Sequence, residues 1–95
     1  KKKFRAKTAK IKGKVEVNLT NIKPEGQYII KYDDDEEEDK FPVQSGEEVI
    51  ERLLEYFHID EDEVEGYGGI KGALEVANGR MGDGWDYLEI YQVKK

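Results

Sequence analysis

Two runs of carboxylates are the residues of this chain best suited to binding chemistry. Seven acidic residues follow one another from Asp33 to Asp39, and a second run begins at Asp60. Clustered carboxylates create a negative field that attracts a basic surface. The sequence therefore predicts an acidic partner-binding surface made of Asp33, Asp34, Asp35, Glu36, Glu37, Glu38, Asp39, Asp60, Glu61, Asp62 and Glu63. For the first run, the alternative is a solvated hairpin tip without a partner.

Neither run has the register of a calcium loop. A loop of the EF-hand type needs glycine at its sixth position. A loop beginning at Asp33 places Glu38 there, and a loop beginning at Asp60 places Glu65 there. The chain has no cysteine and one histidine, which argues against a thiolate metal site, a structural disulfide and a cysteine nucleophile. We therefore predict no metal and no cofactor.

Basic residues are concentrated in the first 14 positions, which hold seven lysines, one arginine and no acid. Lys10, Lys12 and Lys14 are spaced by two, so on a strand they would share one face, where each could neutralise a phosphate. With Tyr28 as a stacking residue, this pattern predicts binding of single-stranded nucleic acid as the alternative function. The acidic remainder of the chain would repel a polyanion. Protection of an edge strand, or pairing with the acidic tip, explains the same lysines.

His58 and the glycines of residues 66–72 resemble a catalytic residue and a phosphate-binding loop, but the neighbouring residues and elements that such sites require are not predicted. His58 stands at the end of a predicted helix with no nucleophile pattern beside it, which favours a capping role at the negative end of the helix dipole. The glycines of residues 66–72 would need a strand before them and a helix after them to form a dinucleotide site. A strand is predicted to follow, so we interpret them as a linker or a bulge. The chain is predicted not to be an enzyme.

Alternating polarity predicts most of the elements. Residues 9–19 alternate and predict one long, curved first strand that bends at Gly13. A turn with Pro24 and Gly26 precedes a second strand, Gln27–Tyr32. The acidic run Asp33–Asp39 would form a hairpin tip, and residues 40–43 would return as an edge strand because Pro42 cannot donate a hydrogen bond.

One helix is predicted, over about residues 46–58. Ser45 and Glu48 have the spacing of a capping box, and Glu51, Arg52 and Glu55 would face water. The opposite stripe is apolar and comprises Val49, Ile50, Leu53, Leu54 and Phe57. Residues 60–65 are a second acidic stretch, which would form a turn of helix.

Two strands are predicted after the helix. Residues 70–76 alternate, a turn starts at Asn78, and the last strand runs from Trp85 to Val93 with apolar residues on both faces, which indicates a central position. Trp85, Tyr87 and Tyr91 recur at period two. We predict that most of them are core beneath the helix; exposed, they would instead be a partner hot spot.

These elements predict a single α+β domain over residues 1–95, with a basic first strand over residues 1–19. Its four- to five-stranded sheet would carry one helix, in the order β-β-β-α-β-β. Residues 40–93, with Phe41-Pro42-Val43, the capped helix and the Asn78-Gly79 turn, resemble the β-grasp (ubiquitin-like) superfamily. Carriers of that superfamily end in Gly-Gly, whereas this sequence ends in Val93-Lys94-Lys95, so the resemblance implies an interaction module. An OB-like barrel is the alternative fold.

Size and charge give the function hypothesis. No apolar run reaches the roughly 20 residues of a membrane helix, and the absence of cysteine fits a cytoplasmic protein. We predict a non-catalytic acidic adaptor or inhibitor that docks on the basic surface of a protein partner. By analogy of size and charge alone, a viral inhibitor of a nucleic-acid enzyme is one such protein. The sequence predicts no membrane partner and indicates no oligomeric state.

Overall fold

The computed structural model describes residues 8–32, 40–84 and 87–93 of the chain. Within them, six strands and three α-helices follow one another, together with a short 3-10 helix. The elements are β1 (Thr8–Lys10), β2 (Val15–Val17), the 3-10 helix (Leu19–Asn21), β3 (Gln27–Tyr32), β4 (Lys40–Pro42), β5 (Gln44–Ser45), α1 (Gly46–Tyr56), α2 (Glu61–Gly66), α3 (Ile70–Gly82) and β6 (Leu88–Gln92). The α+β class is as predicted, but the fold has three helices and two sheets instead of one helix on one sheet. The acidic run Asp33–Asp39 and Trp85 lie outside the described residues.

The larger sheet is antiparallel and has the strand order β2-β6-β3-β5. β6 lies between β2 and β3, which confirms the predicted central position of the last strand. Ile30 stands opposite Ile90, and Tyr32 stands opposite Leu88. Leu88 and Ile90 are buried on one face, so Glu89 and Tyr91 lie on the other, because side chains alternate along a strand.

The helices cover the Leu88–Ile90 face of this sheet and enclose the core. The predicted apolar stripe of α1 is buried there, and Phe57, just beyond the helix end, is fully inaccessible. α3 contributes Ala73, Leu74 and Ala77. The smaller sheet of β1 and β4 covers part of the opposite face of the larger sheet, because β4 contacts β3. Ile29 of β3 and Phe41 of β4 are both buried, and neither belongs to the main core.

The prediction of one long first strand is wrong. β1 pairs with β4, β2 pairs with β6, and a tight turn separates them. In that turn the Lys14 N–H donates to the Ile11 carbonyl at 2.8 Å, and Gly13 has φ +84°. A residue with a Cβ rarely adopts that conformation, so glycine allows a turn here instead of a bend. The alternating pattern is the same for one bent strand as for two strands joined by a turn, and it could not distinguish them.

The predicted strand over residues 70–76 and the turn at Asn78 are also wrong, because both segments lie in α3. The buried residues Ala73, Leu74 and Ala77 have helical spacing, which the alternation of the larger side chains concealed. Packing of α3 on α1 and on the 3-10 helix outweighs the turn preference of Asn-Gly. The first strand and the turn of the hairpin that supported the β-grasp resemblance are therefore helical, while its second strand contains β6, and the rest of that resemblance stays a prediction.

Backbone hydrogen bonds of the Schellman type end α1. The His58 N–H donates to the Glu55 carbonyl at 3.1 Å, and the Ile59 N–H donates to the Leu54 carbonyl at 2.7 Å. His58 occupies the left-handed position with φ +59°, which glycine usually fills. His58 thus contributes to the end of α1 through its backbone, while its side chain is exposed, and the predicted capping role of the imidazole stays a prediction. Arg80 of α3 adds a hydrogen bond to the Phe57 carbonyl.

The same hydrogen-bond pattern ends α2 and explains the glycine-rich segment. The Gly68 N–H donates to the Glu65 carbonyl at 3.0 Å, and the Gly69 N–H donates to the Val64 carbonyl at 2.9 Å. Gly68 takes the left-handed conformation with φ +92°. These glycines form an ordered helix–helix junction, so the prediction of a linker or a bulge is wrong. The element that follows is a helix, but the element before it is α2 instead of the strand that a dinucleotide site requires.

Candidate functional site

The outer face of α1 is acidic because the capping box and the apolar stripe fix its orientation. The Glu48 N–H donates to Ser45 Oγ at 3.3 Å, and the Ser45 N–H donates to Glu48 Oε1 at 3.2 Å. This reciprocal cap anchors the first turn of α1. The buried stripe then leaves Glu51 and Glu55 on the solvent side, together with Glu47 and Glu48. Each of these four residues is exposed.

The second acidic run forms α2 and its N-cap. The Asp60 N–H donates to Glu63 Oε1 at 3.0 Å, which fixes the start of the helix. Glu61, Asp62 and Glu63 occupy the first turn, where the positive end of the helix dipole favours carboxylates. Every acid from Asp60 to Glu65 is exposed. The four residues of this run that the sequence assigned to a partner-binding surface are therefore accessible to solvent, and their role in binding stays a prediction.

Together the two helices present what we call the acidic helical surface, whose nine members are Glu47, Glu48, Glu51, Glu55, Asp60, Glu61, Asp62, Glu63 and Glu65. Between Gln44 and Ile70, Arg52 is the one lysine or arginine. The carboxylates of α1 were absent from the predicted surface. The spacing of acids opposite the apolar stripe was the signal that could have included them, because it placed Glu51 and Glu55 in solvent. The predicted residues Asp33–Asp39 lie outside the described residues.

The predicted nucleic-acid face is not assembled. Lys10 ends β1, whereas Lys12 and Lys14 lie in the turn before β2, so the three ammonium groups do not follow one strand face. Tyr28 is 2% exposed, and its hydroxyl accepts a hydrogen bond from the Lys23 N–H at 2.9 Å. A buried ring offers no surface on which a base can stack.

The aromatics of the last strand join a carboxylate on the sheet face away from the helices. Tyr87 donates to Glu89 Oε2 at 3.0 Å, and Tyr91 donates to Glu89 Oε1 at 2.5 Å. Tyr87 is 50% exposed and Tyr91 is half-buried, so the prediction that they form core beneath the helices is wrong. Leu88 and Ile90 occupy the core side instead.

Hydrogen bonding sets the ionisation of this cluster. The hydrogen bond from Tyr91 lowers the pKa of Glu89; burial opposes this shift, and Tyr87 and Lys31 add to it. Burial, followed by the hydrogen bond to Glu89, raises the pKa of Tyr91, and the charge of Glu16 acts in the same direction. Glu89 is therefore held ionised opposite Lys31, and Tyr91 is held neutral.

Glu89 should contribute to the pH dependence of stability. Its pKa is lower in the folded state, so its contribution is present above the unfolded value of about 4.3 and is lost as pH falls through the folded value. We expect Glu89→Gln to flatten the fall of the free energy of unfolding, followed through the urea midpoint, between about pH 6 and pH 3; the change is under about 1 kcal/mol because the group is partly solvated. Tyr91→Phe should reproduce most of this change and Tyr87→Phe less of it. Midpoint curves parallel to wild type would contradict this assignment.

A groove of about 240 Å³ lies between β2, β6 and α3. Its lining comprises Glu16, Val17, Asn18, Leu19, Asn78, Met81, Leu88 and Ile90. Glu16 is its one ionisable side chain, so the lining provides no acid–base pair. The volume is below the usual range of small-molecule sites.

No group of three or more histidine or carboxylate side chains in residues 8–32, 40–84 and 87–93 is arranged to hold a metal ion. Among the helices of these same ranges, none has the length and apolar character needed to cross a bilayer.

Comparison with protein-family models, with curated protein sequences and with solved structures gives no significant match to this chain.

Proposed function

We propose that this protein is a non-catalytic adaptor or inhibitor that docks the acidic helical surface onto a basic surface of another protein. The observation that carries the proposal is the exposure of nine carboxylates on two consecutive helices, with Arg52 as the one lysine or arginine among them. Such a concentration of one sign of charge attracts and orients a partner of opposite charge.

The caps of both helices support this proposal. Ser45 and Glu48 fix the start of α1, and Asp60 and Glu63 fix the start of α2. The backbone that carries the carboxylates is therefore ordered before binding, and less conformational entropy is lost on association. The narrower forms of the proposal, a viral inhibitor and a cytoplasmic location, stay predictions that rest on composition and size.

Binding of single-stranded nucleic acid is the second candidate, and the basic first 14 residues favour it. Two observations weigh against it. Tyr28 is buried, and the exposed Tyr87 is hydrogen-bonded to the carboxylate of Glu89. A phosphate backbone approaching that ring would meet a negative charge.

Charge-neutralising variants test the acidic helical surface against net charge alone. The site variant combines Glu51→Gln, Glu55→Gln and Glu61→Gln. The matched control combines Glu16→Gln, Glu25→Gln and Asp83→Asn, which are exposed and outside the surface. Binding of a labelled arginine-rich peptide is measured by fluorescence anisotropy at about 50 mM salt, where screening is modest.

We expect the site variant to bind about tenfold more weakly, at about 0.5 kcal/mol per lost charge, and the control to change by less than about threefold. Equal weakening by both variants would mean that net charge, and not this surface, binds the peptide. A labelled oligonucleotide that binds more tightly than the peptide would favour the second candidate.

A further inference from the structure

Two exposed apolar side chains lie directly beside the acidic helical surface. Tyr67 is 37% exposed and Ile70 is 43% exposed, and they flank the junction between α2 and α3. The acids of α2 end at Glu65, two residues before Tyr67. Large apolar side chains that stay exposed beside a charged surface are typical of the centre of an interface, where tyrosine is enriched.

The junction holds these two residues on a fixed backbone. The Tyr67 N–H donates to the carbonyls of Glu63 and Val64, both at 3.1 Å. Gly68 and Gly69 then have φ +92° and +101°, and the Ala73 N–H donates to the Gly69 carbonyl at 2.9 Å. Each end of the junction is thus tied into a helix.

A close backbone approach adds to this fixation. Gly72, in the first turn of α3, lies so near Tyr67 that a Cβ on residue 72 would stand 1.7 Å from the Tyr67 carbonyl oxygen. The two helices meet through this contact. A side chain presented from a fixed backbone loses less entropy when a partner covers it.

We propose that Tyr67 and Ile70 form an apolar contact point that receives an apolar side chain from a lysine- or arginine-rich segment of the partner. The inference rests on the proposed function and adds the partner's composition to it. Charge selects this occupant, because the five exposed carboxylates of residues 60–65 outnumber the one exposed lysine beside Ile70, Lys71, and so disfavour an acidic segment and attract a basic one. The carboxylates provide the salt-sensitive part of binding, and Tyr67 with Ile70 provides a part that persists at high salt.

Two synthetic peptides of equal length and charge test the inference with the full chain. In one, leucines separate the lysines and arginines; in the other, serines replace the leucines. Wild type is expected to prefer the leucine peptide by about tenfold at about 150 mM salt. The double variant Tyr67→Ser, Ile70→Ser should reduce this preference to within about twofold and leave binding of the serine peptide unchanged.

Val15→Ser is the matched control, because Val15 is another exposed apolar residue, at 55%, on β2 and outside the junction of α2 and α3. It should keep the tenfold preference.

Chemical-shift mapping of wild type with the leucine peptide gives a readout that needs no variant, and the largest amide shifts are expected at residues 67–71. Loss of the preference in Val15→Ser, or shifts centred on β2, would overturn the inference.

The outcomes separate the two proposals. If wild type binds both peptides equally and the charge variant still weakens that binding, the apolar contact point is wrong and the acidic docking surface stands. If neither peptide binds at about 50 mM salt, the docking surface is wrong and the contact point is overturned with it.

Discussion

Replacing Gly72 by alanine is expected to destabilise the protein by about 3 kcal/mol, whereas the same replacement at Gly79 should stabilise it by about 1 kcal/mol. Both glycines lie in α3, and alanine has the higher helix propensity at either position. Local propensity alone would therefore predict a gain at both. The changes in the free energy of unfolding have opposite signs because the two positions have different surroundings.

At Gly72 an added Cβ would stand 1.7 Å from the Tyr67 carbonyl oxygen and 2.7 Å from its carbon. Backbone atoms cannot rotate away as the end of a side chain can, so α2 and α3 would have to separate. At Gly79 an added Cβ meets nothing within 4 Å, and only the propensity gain remains.

Urea unfolding followed by circular dichroism measures both free energies of unfolding. Gly72→Ala should also reduce the preference for the leucine peptide, because it displaces Tyr67. A Gly72→Ala variant as stable as Gly79→Ala would show that the two helices do not meet through this contact.

Truncating Phe57 to alanine is expected to lower the free energy of unfolding by about 4 kcal/mol. Phe57 is fully buried directly after α1, and its ring meets that of Tyr56 edge-on with centroids 5.1 Å apart. The loss combines the apolar surface returned to water with the cavity left between the helices and the sheet. For a domain of this size, whose total stability is on the order of 5–15 kcal/mol, that is a large share.

Two further replacements serve as references for the loss of stability expected from Phe57→Ala. Phe57→Leu keeps most of the volume and should cost about 1 kcal/mol, while Glu55→Ala on the exposed side should change stability by under about 0.5 kcal/mol. Thermal and urea denaturation should rank the three variants in this order. If Phe57→Ala cost no more than Glu55→Ala, the side chain could not be part of the core.

The sequence predicted the elements whose local signals agree with one another. For α1, the capping box at Ser45 and the apolar stripe that ends at Phe57 indicate the same helix and the same buried face. For β6, apolar residues on both faces indicated a central strand, and it is central. Since the solvent face of α1 follows from its buried face, the four residues that α1 contributes to the acidic helical surface could also have been predicted.

The errors occurred where two structures share one sequence pattern. Alternation over residues 9–19 fits one bent strand and also two strands around a turn at Gly13. Alternation over residues 70–76 fits a strand, but α3 buries the small residues Ala73 and Ala77, which carry little weight in a polarity pattern. The contact of Gly72 with Tyr67 has no sequence signature, since it depends on how two helices meet.

The order in which the strands are made has a consequence for the nascent chain. β6 lies between β2 and β3 but follows both by more than half the chain. A ribosome therefore delivers the two neighbours, and all three helices, before the strand that joins them. Until Leu88 and Ile90 emerge, only the pair of β3 and β5 can cover the core face of the helices, and the uncovered part of that face is open to chaperones or to other unfinished chains. The capped helices α1 and α2 can form from local contacts during that interval, while the larger sheet is completed only after β6 is synthesised.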